Sequence, residues 1–188
     1  MRPYDRVLHD GQPVDALTRA ALLAVEERLG YPLTILQGSY TTGVPASAGT
    51  HAGGGVVDLT DWDHVRKVRE LRRTGFAAWY RPEIPGLWVA HIHAVLMGNA
   101  KLSPQARWQV DEYLAGRNGL ADRGPDPGPR QFVDHRFTWR TGARRINRAR
   151  ALIARARARL ASGIRGYRGI RRVRRVLGRA EDLLPRTD

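Results

Sequence analysis

The 188-residue chain has no cysteine, which excludes disulfides and thiolate metal sites, and its 42% hydrophobic content suffices for one modest core. No apolar run approaches the roughly 18 residues that span a bilayer, and the polar start Met1-Arg-Pro-Tyr-Asp5 lacks the apolar stretch of a secretory signal. The formal charge of +14 is unevenly placed: residues 1–129 hold 14 Lys+Arg and 14 Asp+Glu, whereas residues 130–188 hold 18 Arg and 4 acids.

In chain order, Leu17, Ala21, Leu22, Val25 and Leu29 recur at helical spacing over residues 15–29, and Gly30 can close that helix. Tyr31-Pro32 breaks the chain, and residues 33–40 read as a buried strand. A loop of small residues, 41–55, leads into a short strand at 56–59. Thr60 or Asp61 can cap a helix that presents Trp62, Val65, Val68 and Leu71 on one face and stops at Gly75. Residues 76–80 and 87–96 read as two strands separated by a proline-bounded turn at 82–85. Ser103-Pro104 supplies a cap followed by proline in the first turn, and the helix it starts runs to Gly116. Strands and helices alternate without a βαβ rhythm or an internal repeat, so the expected class is α+β.

The segment Ser47-Ala-Gly-Thr-His51-Ala-Gly-Gly-Gly-Val-Val-Asp58 carries the most chemistry. Three consecutive glycines beside a histidine point to a backbone that approaches something closely or takes positive φ. His51 lies at the end of the loop and Asp58 in the following strand. His91 and His93 stand two apart in an apolar strand, where side chains of alternate residues share a face. Two imidazoles and a carboxylate, with a fourth position left for water, form the donor set of catalytic zinc. Each residue also has a plainer role: a hydrogen-bonding loop histidine, or an aspartate capping the next helix. A two-His-one-carboxylate iron site is formally available, but the close His-x-Asp pair of those oxygenases is absent, and zinc is preferred.

Ser47, His51, Gly54, Asp58 and the pair His91-x-His93 together resemble the zinc D-Ala-D-Ala carboxypeptidase and dipeptidase family. That family includes phage lysins cutting L-Ala–D-Glu bonds in peptidoglycan stems. Its signature is Ser-x-His-x-x-Gly-x-Ala-x-Asp with a final zinc histidine some tens of residues on, and the resemblance covers residues 30–100. It implies a small antiparallel sheet flanked by helices, with zinc held by His51, Asp58 and His93. There are departures. Four residues run from Ser47 to His51, where the signature has two. Dipeptidase-type members carry an acidic base three positions before the last zinc histidine, where this chain has Ala90. Carboxypeptidase-type members can use a histidine five positions before it, where this chain has Trp88. The family's substrate-binding arginine has no match upstream of the signature; Gln37 occupies the comparable strand, and with Ser47 is the substrate-binding candidate. His91 is the first candidate for the general base or, equally, for a group that orients its neighbours. Glu83, on the preceding turn, is the second.

Gly124-Pro-Asp-Pro-Gly-Pro129 cannot continue a helix or enter a sheet interior, so the expected organisation is a zinc domain at 1–122, a linker at 123–130 and an arginine-rich helical tail at 131–188. In the tail, Ile146, Ala149, Ile153, Ala156 and Leu160 form a narrow apolar stripe on an arginine-covered helix. Such a surface concentrates a protein on a polyanion, whether teichoic acid, anionic lipid or nucleic acid, while no base-reading motif is present. The expected function is zinc-dependent hydrolysis of amide bonds in peptidoglycan stem peptides, by a protein that is cytoplasmic at synthesis and released to the wall in the manner of a phage lysin. The alternatives are a non-catalytic zinc module associated with the wall, and a nucleic-acid-associated protein that acts through its tail.

Overall fold

The computed structural model describes residues 2–128 and 137–140 of the chain. It opens on an element the periodicity does not announce, an antiparallel hairpin of β1 (Arg6–His9) and β2 (Gln12–Asp15). Asp10 and Gly11 join the strands at φ 50° and 74°, the positive values that a two-residue Asp-Gly turn supplies. Asp15 then caps α1 (Ala16–Leu29) by accepting from the Thr18 N–H, and Gly30 closes the helix at φ 81°.

A four-stranded antiparallel sheet follows, ordered β3 (Ile35–Gln37), β4 (Val56–Thr60), β6 (His91–Leu96), β5 (Phe76–Arg81). With α2 (His64–Thr74) and α3 (Pro104–Leu114) the fold is α+β with small antiparallel sheets, as expected. Three boundaries differ from expectation. The strand expected at 33–40 keeps three ladder residues, because Ser39 N donates to Pro13 O (2.7 Å) and turns the chain towards the hairpin. The strand expected from 87 starts at His91, and residues 82–90 form a turn held by an Ile84–Trp88 bridge. Neither Thr60 nor Asp61 caps α2: Thr60 ends β4, and Asp63 enters the helix at φ 55° without a side-chain cap.

The buried face of α2 also differs from the apolar stripe. Trp62 and Val65 are 52% and 69% exposed, while Lys67, Glu70, Leu71 and Thr74 are buried. Charges can face inward here because partners await them: Lys67 Nζ donates to Thr60 O (2.9 Å) and Arg72 Nε to Ala78 O (2.9 Å). Among the described residues no helix is long and apolar enough to cross a membrane.

The sheet has two unlike faces. Val57, Leu59, Phe76, Ala78, Ile92, Ala94 and Leu96 share one, each completely buried. On the other, Val56, Ala77 and Val95 pack with Met97, Leu102, Ala106 and Tyr113 under α3. Further along the same strands that second face turns polar: Asp58 lies opposite His93, and Trp79 opposite His93 on the other side. The compact unit runs Met1–Thr138. Residues 123–128, expected to be linker, belong to it through the Arg72–Asp126 ion pair (2.9 Å) and the Asp126 N–H on Gly116 O (3.0 Å). The rest of the linker and the expected helical tail lie outside the described residues, apart from 137–140.

Candidate metal centre

Three separate segments bring the site together. His51 sits in a 3-10 turn, Thr50–Ala52, that is tied down from both sides: Thr41 N donates to His51 O (2.9 Å), and Ser103 Oγ donates to Thr50 O (3.0 Å). The glycines that follow let this turn approach the body of the domain. A Cβ at Gly53 would collide with the Lys101 carbonyl, one at Gly54 with the Asp15 carboxylate and the Tyr40 hydroxyl, and Gly55 needs φ 82°. Asp58 and His93 are direct cross-strand partners in β4 and β6 and therefore point to the same side.

One oxygen of Asp58 lies 3.2 Å from His51 Nε2 and the other 2.7 Å from His93 Nδ1, and the two rings meet edge to face with centroids 5.5 Å apart. All three are secluded, the side chains of His51, Asp58 and His93 being 1%, 14% and 8% exposed. Burial alone would raise the Asp58 pKa, but whenever the His93 or His51 imidazole carries a proton on its inner nitrogen it holds the carboxyl well below its usual range. Burial of His93 outweighs the pull of Asp58 and pushes that imidazole's pKa down, towards the neutral form.

The outer nitrogens decide what fits inside. His51 Nδ1 is 2.8 Å from the Gly38 carbonyl oxygen, which only accepts, so Nδ1 carries the hydrogen. His93 Nε2 is 2.8 Å from Gln109 Oε1, and the Gln109 amide is oriented by donating its own N–H to Gly119 O (3.2 Å). His93 Nε2 therefore also carries a hydrogen. A neutral imidazole has only one, so the inner nitrogens of His51 and His93 present lone pairs to an ionised carboxylate. Lone pairs and carboxylate repel unless a cation lies among them. The three donor atoms lie within 4.8 Å of one another, and the group could hold a metal ion. Gly38 and Gln109 then do what partners of ligating histidines do, fixing tautomer and ring orientation.

The other expected site residues are placed as follows. His91 extends along the same face from His93; its Nδ1–H donates to Val89 O (2.7 Å), which leaves Nε2 turned towards Asp58 Oδ1 at 4.0 Å. Glu83 is exposed on the turn after β5. Gln37 and Ser47 are joined, Ser47 Oγ donating to Gln37 Oε1 (3.1 Å), and Gln37 is the cross-strand partner of Asp58. A register shift between Ile35 and Gln37 makes this possible: Ile35 pairs with Leu59 on the apolar face, and the irregularity turns Gln37 to the side of Asp58. The Gln37 amide nitrogen is buried without a partner, leaving a donor beside the acid.

Sequence reasoning passed over Gln109, Trp79 and Arg81. Gln109 stands in the inward stripe of α3 with Ala106 and Tyr113, and a polar residue in a core stripe was its signal. The Trp79 ring lies nearly parallel to His93 (centroids 6.2 Å, 19°) and donates Nε1–H to Arg117 O (3.1 Å). Arg81 follows two residues later on the same face, its guanidinium carbon 5.0 Å from the Trp79 ring centre. Burial pushes the Arg81 pKa down to about 10, against the attraction of Asp58, Asp126 and Asp122. No family model, curated protein or solved structure matches this chain.

Proposed function

We propose that the protein is a zinc-dependent hydrolase of amide bonds in peptidoglycan stem peptides, the activity of the zinc D-Ala-D-Ala carboxypeptidase and dipeptidase family that its motifs resemble. The observation that carries this reading is the pair of imidazoles whose outer hydrogens are fixed by Gly38 and Gln109 while their inner lone pairs converge on Asp58. Two nitrogens and one carboxylate, with no cysteine in the chain, match the ligands of an open zinc site. Zinc in that position supplies Lewis acidity to polarise the scissile carbonyl and activate water.

The chain's own residues supply the rest. His91, with Nδ1–H fixed on Val89 O, offers Nε2 as the atom that takes a proton and returns it to the leaving amine. The free N–H of Gln37, at the far side of Asp58, donates to the peptide backbone of the substrate, while the Ser47 hydroxyl, its hydrogen given to Gln37 Oε1, orients that amide and can accept from a substrate N–H. The arginine-rich residues 131–188 hold the protein on a polyanion such as teichoic acid, anionic lipid or nucleic acid. A second reading, a zinc module that binds wall peptides without cutting them, is favoured by Ala90 standing where dipeptidase-type relatives carry their acid.

The test is to load the purified full-length chain with zinc, incubate it with defined muropeptides and read the products by mass spectrometry. Zinc-dependent cleavage next to a D-amino acid is the expected result. His91→Ala should keep zinc and lose about 10²- to 10⁴-fold in turnover, the usual worth of a positioned acid–base group. Zinc binding with no cleavage of any muropeptide would favour the second reading, and no zinc binding would end both.

A further inference from the structure

The outer side of α2 sets exposed apolar side chains beside a row of arginines. Arg66, Arg69 and Arg73 recur at intervals of three and four, which keeps them on one side of the helix, and Val65 borders them. Val65 is 69% exposed, and Trp62, just before the helix, is 52% exposed. The indole is held in place by Lys67 Nζ, 4.2 Å from its ring centre, and by the Tyr31 ring, whose centroid is 4.6 Å away. The arginines are held too. The Glu70 carboxylate is buried, yet it lies 3.2 Å from Arg69 Nε, 3.2 Å from Arg73 Nη1 and 4.0 Å from Nη1 of Arg28 in α1. One carboxylate cannot neutralise three guanidinium groups, whose side chains stay 41–46% exposed. Asp63 answers Arg66 at 3.8 Å, and Asp61 and Asp63 draw on Lys67. This side therefore keeps a cationic surplus, although residues 1–129 as a whole are formally neutral.

We infer that this side of α2 is an interface for an anionic phospholipid surface. Lipid phosphates meet Arg28, Arg69 and Arg73, while Trp62 and Val65 enter the boundary between headgroups and acyl chains. The guanidinium fork matches phosphate oxygens in paired hydrogen bonds. Because Glu70 already positions these arginines, less side-chain freedom is lost when a phosphate arrives. At a rise of 1.5 Å per residue, Val65 stands about 6 Å along the helix from Arg69 and about 12 Å from Arg73. A helix lying parallel to the surface thus brings all three to one depth. An indole suits that depth, with its ring among the chains and its N–H among the headgroups. A nucleic acid would pair with the same arginines but leave Val65 in water, whereas a lipid surface engages both. The inference goes beyond the hydrolase reading and depends neither on the metal centre nor on residues 131–188.

The chain has no cysteine, so one introduced cysteine carries a polarity-sensitive dye at a chosen point. Val65→Cys and, for comparison, Leu114→Cys at the exposed end of α3 are labelled in the full-length chain. Each is titrated with vesicles of mixed phosphatidylglycerol and phosphatidylcholine, with phosphatidylcholine vesicles, and with a single-stranded oligonucleotide. Anionic vesicles should shift the Val65 dye to the blue, neutral vesicles should not, and the Leu114 dye should respond to neither. Arg69→Gln combined with Arg73→Gln should weaken the Val65 response about 25-fold, at about fivefold for each charge near an anionic surface. Lysine at both positions should retain most of it. Should the glutamine pair fail to fold, Arg28→Gln alone should weaken the response about fivefold. Vesicle binding without a shift at Val65, or equal shifts at Val65 and Leu114, would overturn the inference and leave membrane attachment to residues 131–188. A Val65 response that survives loss of the arginine charges in a folded variant would overturn it as well. So would the absence of any binding to anionic vesicles. A Val65 response to the oligonucleotide at lower concentration than to the vesicles would replace it with a nucleic-acid interface.

Discussion

The two faces of one small sheet are built to different rules. On the face carrying Leu59, Ala78, Ile92 and Ala94 these residues are apolar and completely buried, only the half-buried Tyr80 at the end of β5 departs from the pattern, and the contacts are interchangeable in kind, if not in shape. On the face carrying Asp58, His93, Trp79 and Arg81 each polar atom is accounted for individually: a carbonyl for His51, an amide for His93, a backbone oxygen for Trp79, and nothing yet for Arg81. Two adjacent residues of β4, Asp58 and Leu59, thus belong to different economies. One face holds the fold together through area removed from water; the other spends some of that stability to keep a carboxylate and two lone pairs in close proximity.

The comparison is broken most directly at Asp58. Asp58→Ala should weaken zinc binding by more than about 100-fold, beyond the usual effect of partners that only orient ligands, as read by competition with a chromogenic chelator. If zinc binding survives that change, the second face is not a metal centre. The complementary change, Leu59→Ala, should lower unfolding free energy by about 2–5 kcal/mol, as expected for truncating a buried leucine. Denaturant titration checks it, and the folded fraction should still take up zinc in full. Loss of zinc uptake by folded Leu59→Ala would show that the faces are not independent.

Smaller effects sharpen the contrast. Gln109→Leu removes the acceptor behind His93 but keeps side-chain volume near constant, so zinc affinity should fall by about 10- to 100-fold, measurable by the same competition. Gln109→Glu should restore most of it, since a carboxylate also accepts from Nε2–H. Acid should act on one face only. Zinc binding requires the inner nitrogen of His93 free of its proton, and burial holds that pKa below its ordinary value of about 6.5. Asp58, depressed further, stays ionised over the same range. The His93 contribution to affinity should therefore be nearly flat above about pH 6.5 and fall by about tenfold per unit once the pH passes below the lowered His93 value. A titration in which affinity instead rises as the pH falls would contradict the site.

Much of this was open to inspection in the linear chain. Helical spacing from Leu17 to Leu29 and the closing Gly30 give α1 almost to the residue, because caps and periodicity are local properties. Alternation along His91–Leu96 places His91 and His93 on one face, and the glycine run announces the close approach of the His51 turn. That His51, Asp58 and His93 form one group was an expectation from the resemblance that their motifs carry, and the structure brings the three together. The hairpin at Asp10-Gly11 carried a local signal that the apolar periodicity obscured.

Tertiary structure decided what depends on partners far apart in sequence. Whether α2 buries Trp62 or Lys67 is settled by the Thr60 carbonyl, which rewards the charge, and not by the helix's own apolar count. Whether Gln37 faces the site is settled by a register irregularity between two strands. The acceptors that fix the tautomers come from Gly38 and Gln109, separated from their histidines by 13 and 16 positions. Arg81 looks like an ordinary strand-end cation until the turn at 117–128 closes over it and leaves its donors without acceptors. Local sequence can state which groups a residue carries; only the packed chain determines which of them are left facing one another, because desolvation and hydrogen-bond satisfaction are set by neighbours that the fold brings from elsewhere.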